Sequence, residues 1–380
     1  LSWWFEARTL DDLAVRLARF ADVGGPRALR ERASADLALP TISGTKRAWR
    51  RPAHVLLTGA TGFLGAHLID QLRARGLAVT CLVRSPDKLA GVMRERELAT
   101  PLDQLAIVVG DLAAPNLGLT ESLAGIDAVV HAGATVSWLA SYEALREPNV
   151  LGTRTLLELA AARGWAFHYV STISTAPHAG DEATLLTLDA ALAGTPYGLS
   201  KWIAEQHVAR ALNVAHTITR PAMIAASTQT GIGNADDFNM RYLRGCLDLG
   251  LYVDREDATM DLTPVDFVAG AIAALVLEEP AGEAYHLANA DQSPTFGALG
   301  RALVAAGRAV RPASYAEFRD ALAKAKTSRL HALSAFLPED FHLGMGPFPC
   351  ERSVARLAKL GLTRPKIDDA YLARLIARLG

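Results

Sequence analysis

The chain has 380 residues, half of them hydrophobic and 21% charged, which is enough apolar material for a sizeable core and excludes wholesale disorder. Its 39 Lys and Arg nearly cancel 40 Asp and Glu, and a formal charge of −1 lacks the basic footprint of a nucleic-acid binder. Cys81, Cys246 and Cys350 are too few and too scattered for a disulfide framework or a zinc site; they suit a reducing cytoplasm, with no metal expected.

In chain order, LSWWFEARTLDD carries acids where a signal peptide would be apolar. Leu1 stands where a start Met would, which predicts a segment cut from a longer polypeptide. Thr9 to Phe20 reads as an amphipathic helix with Thr9 as N-cap, and Gly24 to Pro52 as a linker punctuated by Pro26, Pro40, Gly44 and Pro52. Six strand-length apolar runs follow: His54 to Leu57, Leu77 to Val83, Leu105 to Val109, Ala128 to His131, Trp165 to Val170 and Ala215 to Thr219. Helical patterns separate them, at Phe63 to Arg75, Ser85 to Leu98, Val150 to Arg163 and Pro196 to Leu212. The alternation predicts a Rossmann-type, doubly wound parallel α/β sheet. Beyond Arg220 come a Gly/Asn-rich stretch, a helical piece at Met240 to Leu249, a run from Leu262 to Leu277, a strand-like Ala284 to Ala288 and a mainly helical remainder. The longest apolar run, Ala269 to Leu277, is too short to span a membrane. The expected domains are residues 1–50 as terminal helix and linker, 51–222 with 259–290 as the nucleotide-binding domain, and 223–258 with 291–380 as a smaller C-terminal substrate lobe.

The segment VLLTGATGFLG sets Gly59, Gly62 and Gly65 after the first strand and at the mouth of the first helix, within Thr58, Thr61, Phe63 and Leu64. Such glycines allow a tight turn, close approach of a pyrophosphate and close helix–sheet packing, and the helix N-terminus offers N–H groups to the anion. The T-G-x-x-G-x-x-G form resembles the short-chain dehydrogenase/reductase superfamily. Where an NAD-binding fold places an acid at the end of its second strand, this chain reads CLVRSPDK. Arg84 and, one turn on, Lys88 suit the 2′-phosphate of NADPH; the plain alternative is two solvated surface cations. The superfamily resemblance implies Asp111 and Leu112 near the adenine, and His131, Ala132 and Gly133 along the cofactor. His131 reads equally well as a hydrogen-bonded core histidine.

The pair Tyr197 and Lys201, four residues apart, shares one face of a helix that Pro196 starts and Thr195 can cap. A phenol with a pKa of about 10 exchanges protons poorly at neutrality, and an adjacent ammonium is expected to stabilise its anion. The superfamily resemblance implies that Thr172, at the end of the fifth strand, aims its hydroxyl at the reacting carbonyl oxygen, with Ser171 facing away. It gives Asn149 a supporting place in the helix after strand four.

The stretches VVGDLAAPNLGL, HAGATVSWLASYEALREPNVLGT and RPAMIAASTQTGIGNADDF are similar to the thioester reductase branch, which includes terminal reductase domains of nonribosomal peptide synthetases and polyketide synthases. Gly133, Ser137 and Ala222 depart from that branch's usual Ala, Asn and Gly. The resemblance covers about Pro52 to Leu287. It implies NADPH-dependent reduction of a carrier-bound phosphopantetheinyl thioester to an aldehyde, or onward to the alcohol, with Thr172, Tyr197 and Lys201 as the catalytic set. Substrate contacts are expected from Val136, Thr172, Ser174, Met223, Gly231 and Asn234. FEARTLDDLAVRLA resembles the last helix of an acyl or peptidyl carrier protein, which implies a carrier partner upstream in the same megasynthase. Sugar-nucleotide epimerases or dehydratases and stand-alone acyl or aldehyde reductases share the fold and the Tyr/Lys pair, and a non-catalytic NADP-binding regulatory protein is the alternative outside enzymes.

Overall fold

The computed structural model describes residues 25–45, 47–120, 123–137, 140–337 and 348–379; the helix expected at Thr9 to Phe20 and its carrier-like stretch lie outside them. The chain divides into two compact units, one of the residues up to Arg220 with Ala269–His286, the other of Pro221–Val268 with Leu287 onward.

In the first unit, β1 (His54–Thr58), β2 (Ala78–Val83), β3 (Ala106–Val109), β4 (Ala128–His131), β5 (Ala166–Val170), β6 (His216–Pro221) and a seventh strand, Ala284–Leu287, form one sheet. β1 runs parallel to β2 and β4, β2 to β3, β4 to β5 and β5 to β6. The chain moves outward through β1, β2 and β3, then returns to place β4 on the other side of β1. That reversal opens a crevice at the carboxyl ends of β1 and β4, the usual ligand position in open α/β sheets. The inner strands are continuous apolar runs because helices cover both faces, and Leu56, Val129, Phe167 and Ile218 share a fully buried cluster.

The stretch read as a linker departs from expectation, because it contains a helix, α1 (Gly25–Leu37). Pro26 is compatible with a first helical turn, and only Ala33 and Asp36 are buried, so the apolar stripe was too thin to read. Burial of Asp36 is offset by Tyr142, whose hydroxyl donates to its carboxylate at 2.6 Å, and by Arg146, whose Nε lies 2.8 Å from Oδ2. The remaining helices of this unit are α2 (Phe63–Ala74), α3 (Pro86–Glu95), α4 (Tyr142–Arg146), α5 (Gly152–Arg163), α6 (Leu188–Ala193) and α7 (Pro196–Ala209). A π-helical turn, Glu147–Leu151, joins α4 to α5.

The second unit is mainly helical. α8 (Phe238–Leu249), α10 (Phe296–Ala305), α11 (Tyr315–Lys324), α12 (Glu351–Lys359) and α13 (Asp369–Ala377) belong to it, while α9 (Val265–Val276) runs from this unit into the first. Its core gathers Tyr242, Phe296 and Phe318, with the Tyr242 and Phe296 rings edge-on at 5.1 Å. No helix among the described residues is long and apolar enough to cross a membrane.

Candidate active site

The glycine turn between β1 and α2 needs its glycines for steric reasons. Gly59 adopts φ +75°, and a Cβ there would lie 2.6 Å from the Ala132 carbonyl carbon; a Cβ at Gly65 would lie 2.0 Å from the Gly59 carbonyl oxygen. The turn therefore presses against the chain leaving β4. Gly62 stands at the N-cap of α2 with no capping side chain, whereas Ser85, Thr195 and Thr295 each cap the helix they precede. The first N–H groups of α2 thus have no side-chain acceptor, and Gly62 is exposed. An anion fits such a terminus, so the turn suits the pyrophosphate of a dinucleotide.

Below the turn, Thr58 and His131 are joined in a buried hydrogen-bond chain, the core-histidine alternative for His131. Both are fully buried. Gly133 N–H donates to Thr58 Oγ1 at 3.0 Å, leaving the Thr58 proton for His131 Nδ1 at 2.6 Å. His131 Nε2 then lies 2.8 Å from Thr153 Oγ1, which donates to the Asn149 carbonyl at 2.6 Å. Burial first, and the Lys201 charge second, hold the imidazole well below its ordinary pKa, so it is neutral. His131 thus braces the loop from below through both ring nitrogens. Ala132, Gly133 and Leu112 line the loop above it, and a Cβ at Gly133 would come 2.8 Å from Leu112 Cδ1. Asp111 accepts from Ala113 N–H at 3.0 Å and so shapes the turn after β3.

Past the end of β2, Arg84 and Lys88 are both exposed and flank Ser85, the N-cap of α3. Thr61, in the glycine turn, and Phe63 and Leu64, on the first turn of α2, are partly exposed, with the Arg96 guanidinium 5.2 Å from the Phe63 ring centre.

Thr172, two residues past the end of β5, caps a short 3₁₀ turn, Ile173–Thr175; among the described residues its Oγ1 makes long contacts, 3.4 Å, to Ser174. Ser171 turns inward to Glu205. α7 begins beside this turn, because a Cβ at Gly198 would lie 3.6 Å from Ser174 Cβ. Burial pushes the Tyr197 phenol up to about 12, so it is protonated at neutral pH. The expected lowering of this phenol by Lys201 does not arise. Lys201 instead donates to the Val170 carbonyl at 2.7 Å and sits 4.2 Å from the Tyr169 ring centre, with burial drawing its own pKa down to about 7 against the opposing pull of Glu205. Asn149, in the π-helical turn, exchanges hydrogen bonds with Thr135 and donates to Ser200 at 3.0 Å, tying the loop after β4 to α7.

Of the expected substrate contacts, Val136 and Ser174 are exposed in the first unit. Met223, Gly231 and Asn234 belong to the second. There Met223 N–H donates to Asp261, Gly231 at φ +68° packs so closely on Arg374 that a Cβ would lie 2.4 Å from its carbonyl oxygen, and Asn234 accepts from Asp236 N–H. Gly231 is thereby explained by packing within its own unit. The residues missed in the sequence were Thr153, Ser200 and Glu205. The last had a signal, the same four-residue step that separates Tyr197 from Lys201.

Residues 57–272 match the family described as Male sterility protein, an NAD-binding domain. The terminal R domain from the myxalamid PKS-NRPS biosynthetic pathway superposes with a TM-score of 0.81 and 31% identity, covering 92% of this chain and 97% of that one. This chain belongs to that reductase family. It is an NAD(P)-dependent reductase of the extended short-chain dehydrogenase type, and its relatives are reductase domains of peptide and polyketide synthetases. The L-2-aminoadipate reductase large subunit of Eremothecium gossypii is 34% identical over 57% of the chain, and the isonitrile lipopeptide synthase of Streptomyces coeruleorubidus 37% identical over 68%. The chain spans only 18% and 19% of the length of those two curated relatives.

Proposed function

We propose that this reductase takes NADPH and releases an acyl or peptidyl group from the phosphopantetheine arm of a carrier protein as an aldehyde. The observation that carries the reading is the placing of Tyr197 on the opening turn of α7, beside the Thr172 turn and four residues from Lys201, in a sheet whose first helix starts at a glycine with no capping side chain. Tyr197 and Thr172 are suited to donate hydrogen bonds to a thioester oxygen and to stabilise the charge that develops there. The bound dinucleotide supplies the hydride that the thioester carbon accepts. Tyr197 gives the oxygen a proton to form a hemithioacetal; as its C–S bond breaks, the hydroxyl proton passes to the departing sulfur, leaving the aldehyde and a free thiol on the carrier arm. A second round would take the aldehyde to the alcohol.

Arg84 and Lys88 support the choice of NADPH, since Arg84 follows the end of β2, where an acid would favour the unphosphorylated ribose, and Lys88 stands exposed in the first turn of α3. The relatives' membership of multidomain synthetases supports a carrier partner, and three free thiols support a reducing compartment such as the cytoplasm. Val136, exposed in the first unit, is proposed to meet the acyl-pantetheine arm. The test compares one acyl group on a carrier and on a short pantetheine thiol, with NADPH consumption and product mass measured. Carrier attachment should raise kcat/KM, because tethering supplies effective concentration. Equal efficiency for both forms would favour a stand-alone acyl or aldehyde reductase.

A further inference from the structure

Beneath the candidate catalytic residues lies a buried charged group that the reaction as proposed does not use. Glu205 is fully buried on α7, one turn beyond Lys201 and two beyond Tyr197. One of its oxygens, Oε2, receives the Ser171 hydroxyl and lies 2.9 Å from Thr175 Oγ1. Thr175 Oγ1 also lies 2.8 Å from the Thr172 carbonyl, and Thr175 N–H donates to that carbonyl at 3.1 Å. The carboxylate thus grips the chain on both sides of Thr172 and leaves the Thr172 side chain half-buried with long contacts of its own.

The other oxygen, Oε1, faces Arg220, also fully buried, whose Nε is 3.1 Å away and whose Nη2 makes a second contact. Arg220 Nη1 donates to the Glu182 carbonyl at 3.0 Å and meets His286 Nε2 at 3.0 Å. Apolar residues of similar volume often replace a buried ion pair with no loss of stability, so stability alone is a poor reason for a carboxylate here. Its position gives a better one.

We propose that Glu205 is a positioning residue for the reaction: it pins the turn that presents Thr172 and, one helical turn from Lys201, places a buried negative charge on the same helix. The proposal rests on the catalytic reading of Thr172, Tyr197 and Lys201. The groups that interact with Lys201 are the neutral His131 from β4, the Tyr169 ring from β5 and Glu205 from its own helix, with Arg220 of β6 paired to Glu205. Among these Glu205 is the carboxylate that favours the charged lysine against burial.

The experiment measures turnover against pH for the full chain with NADPH and a pantetheine thioester. Glu205→Gln should move the alkaline fall of activity down by about one pH unit, since the ammonium loses its counter-charge. If that variant, which strands Arg220, does not fold, Glu205→Gln with Arg220→Met removes both charges together. Ser171→Ala with Thr175→Val keeps the charge but frees the Thr172 turn, and should lower kcat about tenfold with the pH profile unmoved. Lys201→Ala is run alongside. Activity retained in Lys201→Ala would overturn the catalytic reading itself. Activity lost there, with a pH profile unchanged in the folded Glu205 variants, would overturn the role of Glu205 alone.

Discussion

Helices α2 and α7 both open at the carboxyl edge of the same sheet, yet they begin in opposite ways. α2 starts at an exposed glycine with no side chain over its first N–H groups; α7 starts with Thr195 accepting from Gly198 N–H at 3.0 Å and Pro196 closing the first turn. An open terminus offers its partial positive charge to an external anion, and a closed one spends it on its own cap. The difference divides the labour of the crevice. One helix is left free to hold a ligand, while the other is fixed so that the side chains along it keep their places.

The sharpest way to break that division is at the closed helix. Tyr197→Phe should retain dinucleotide affinity while turnover falls by about two to four orders of magnitude. Stopped-flow or steady-state NADPH consumption would show it, and undiminished turnover would remove Tyr197 from the chemistry. At the open helix, Gly65→Ala puts a methyl against the Gly59 carbonyl oxygen, so α2 must shift away from the turn. Dinucleotide affinity should drop more than tenfold and stability by about 1–3 kcal/mol. Gly62→Ala, whose Cβ would meet only that same oxygen at 3.1 Å, should leave the fold intact in a thermal melt and isolate the cost to binding.

Arg84→Ala sharpens the comparison on the ligand side. It should weaken NADPH by about tenfold and leave NADH nearly unchanged, read by fluorescence titration of each, because only NADPH carries the 2′-phosphate. Equal weakening would make Arg84 a structural cation. The smallest effect belongs to the cap. Thr195→Ala should cost about 1 kcal/mol in chemical denaturation, with a mild loss of kcat as Tyr197 loosens.

The parallel sheet was legible in the alternation of apolar runs with helical patterns, because buried parallel strands are apolar throughout. The glycine turn was legible because few other residues tolerate such close backbone approach. What escaped were features set by partners distant in sequence. α1 buries Ala33 and packs Leu29 and Leu37 against a small cluster that includes Leu199, Trp202 and Ile203, while its Asp36 meets residues more than a hundred positions away, so its hold comes from partners remote in sequence. His131 carried a histidine's ambiguity until Thr58 and Thr153 occupied both its ring nitrogens. The π-helical turn at Asn149 leaves no composition signal, and the proton affinity of Tyr197 follows from burial that no four-residue spacing encodes.

The clasp of Asp36 on Tyr142 and Arg146 also has a meaning for how the chain folds. It joins positions 106 and 110 residues apart, and the segment it closes contains β1 to β4 with the whole glycine turn. A contact of that sequence separation behaves as a reversible non-covalent cross-link, whose loop-closure entropy is met only once the enclosed strands have already paired. Docking of α1 is therefore a late event in folding, and its release an early one in unfolding. In these terms α1 is a latch that can close only over an assembled nucleotide-binding half.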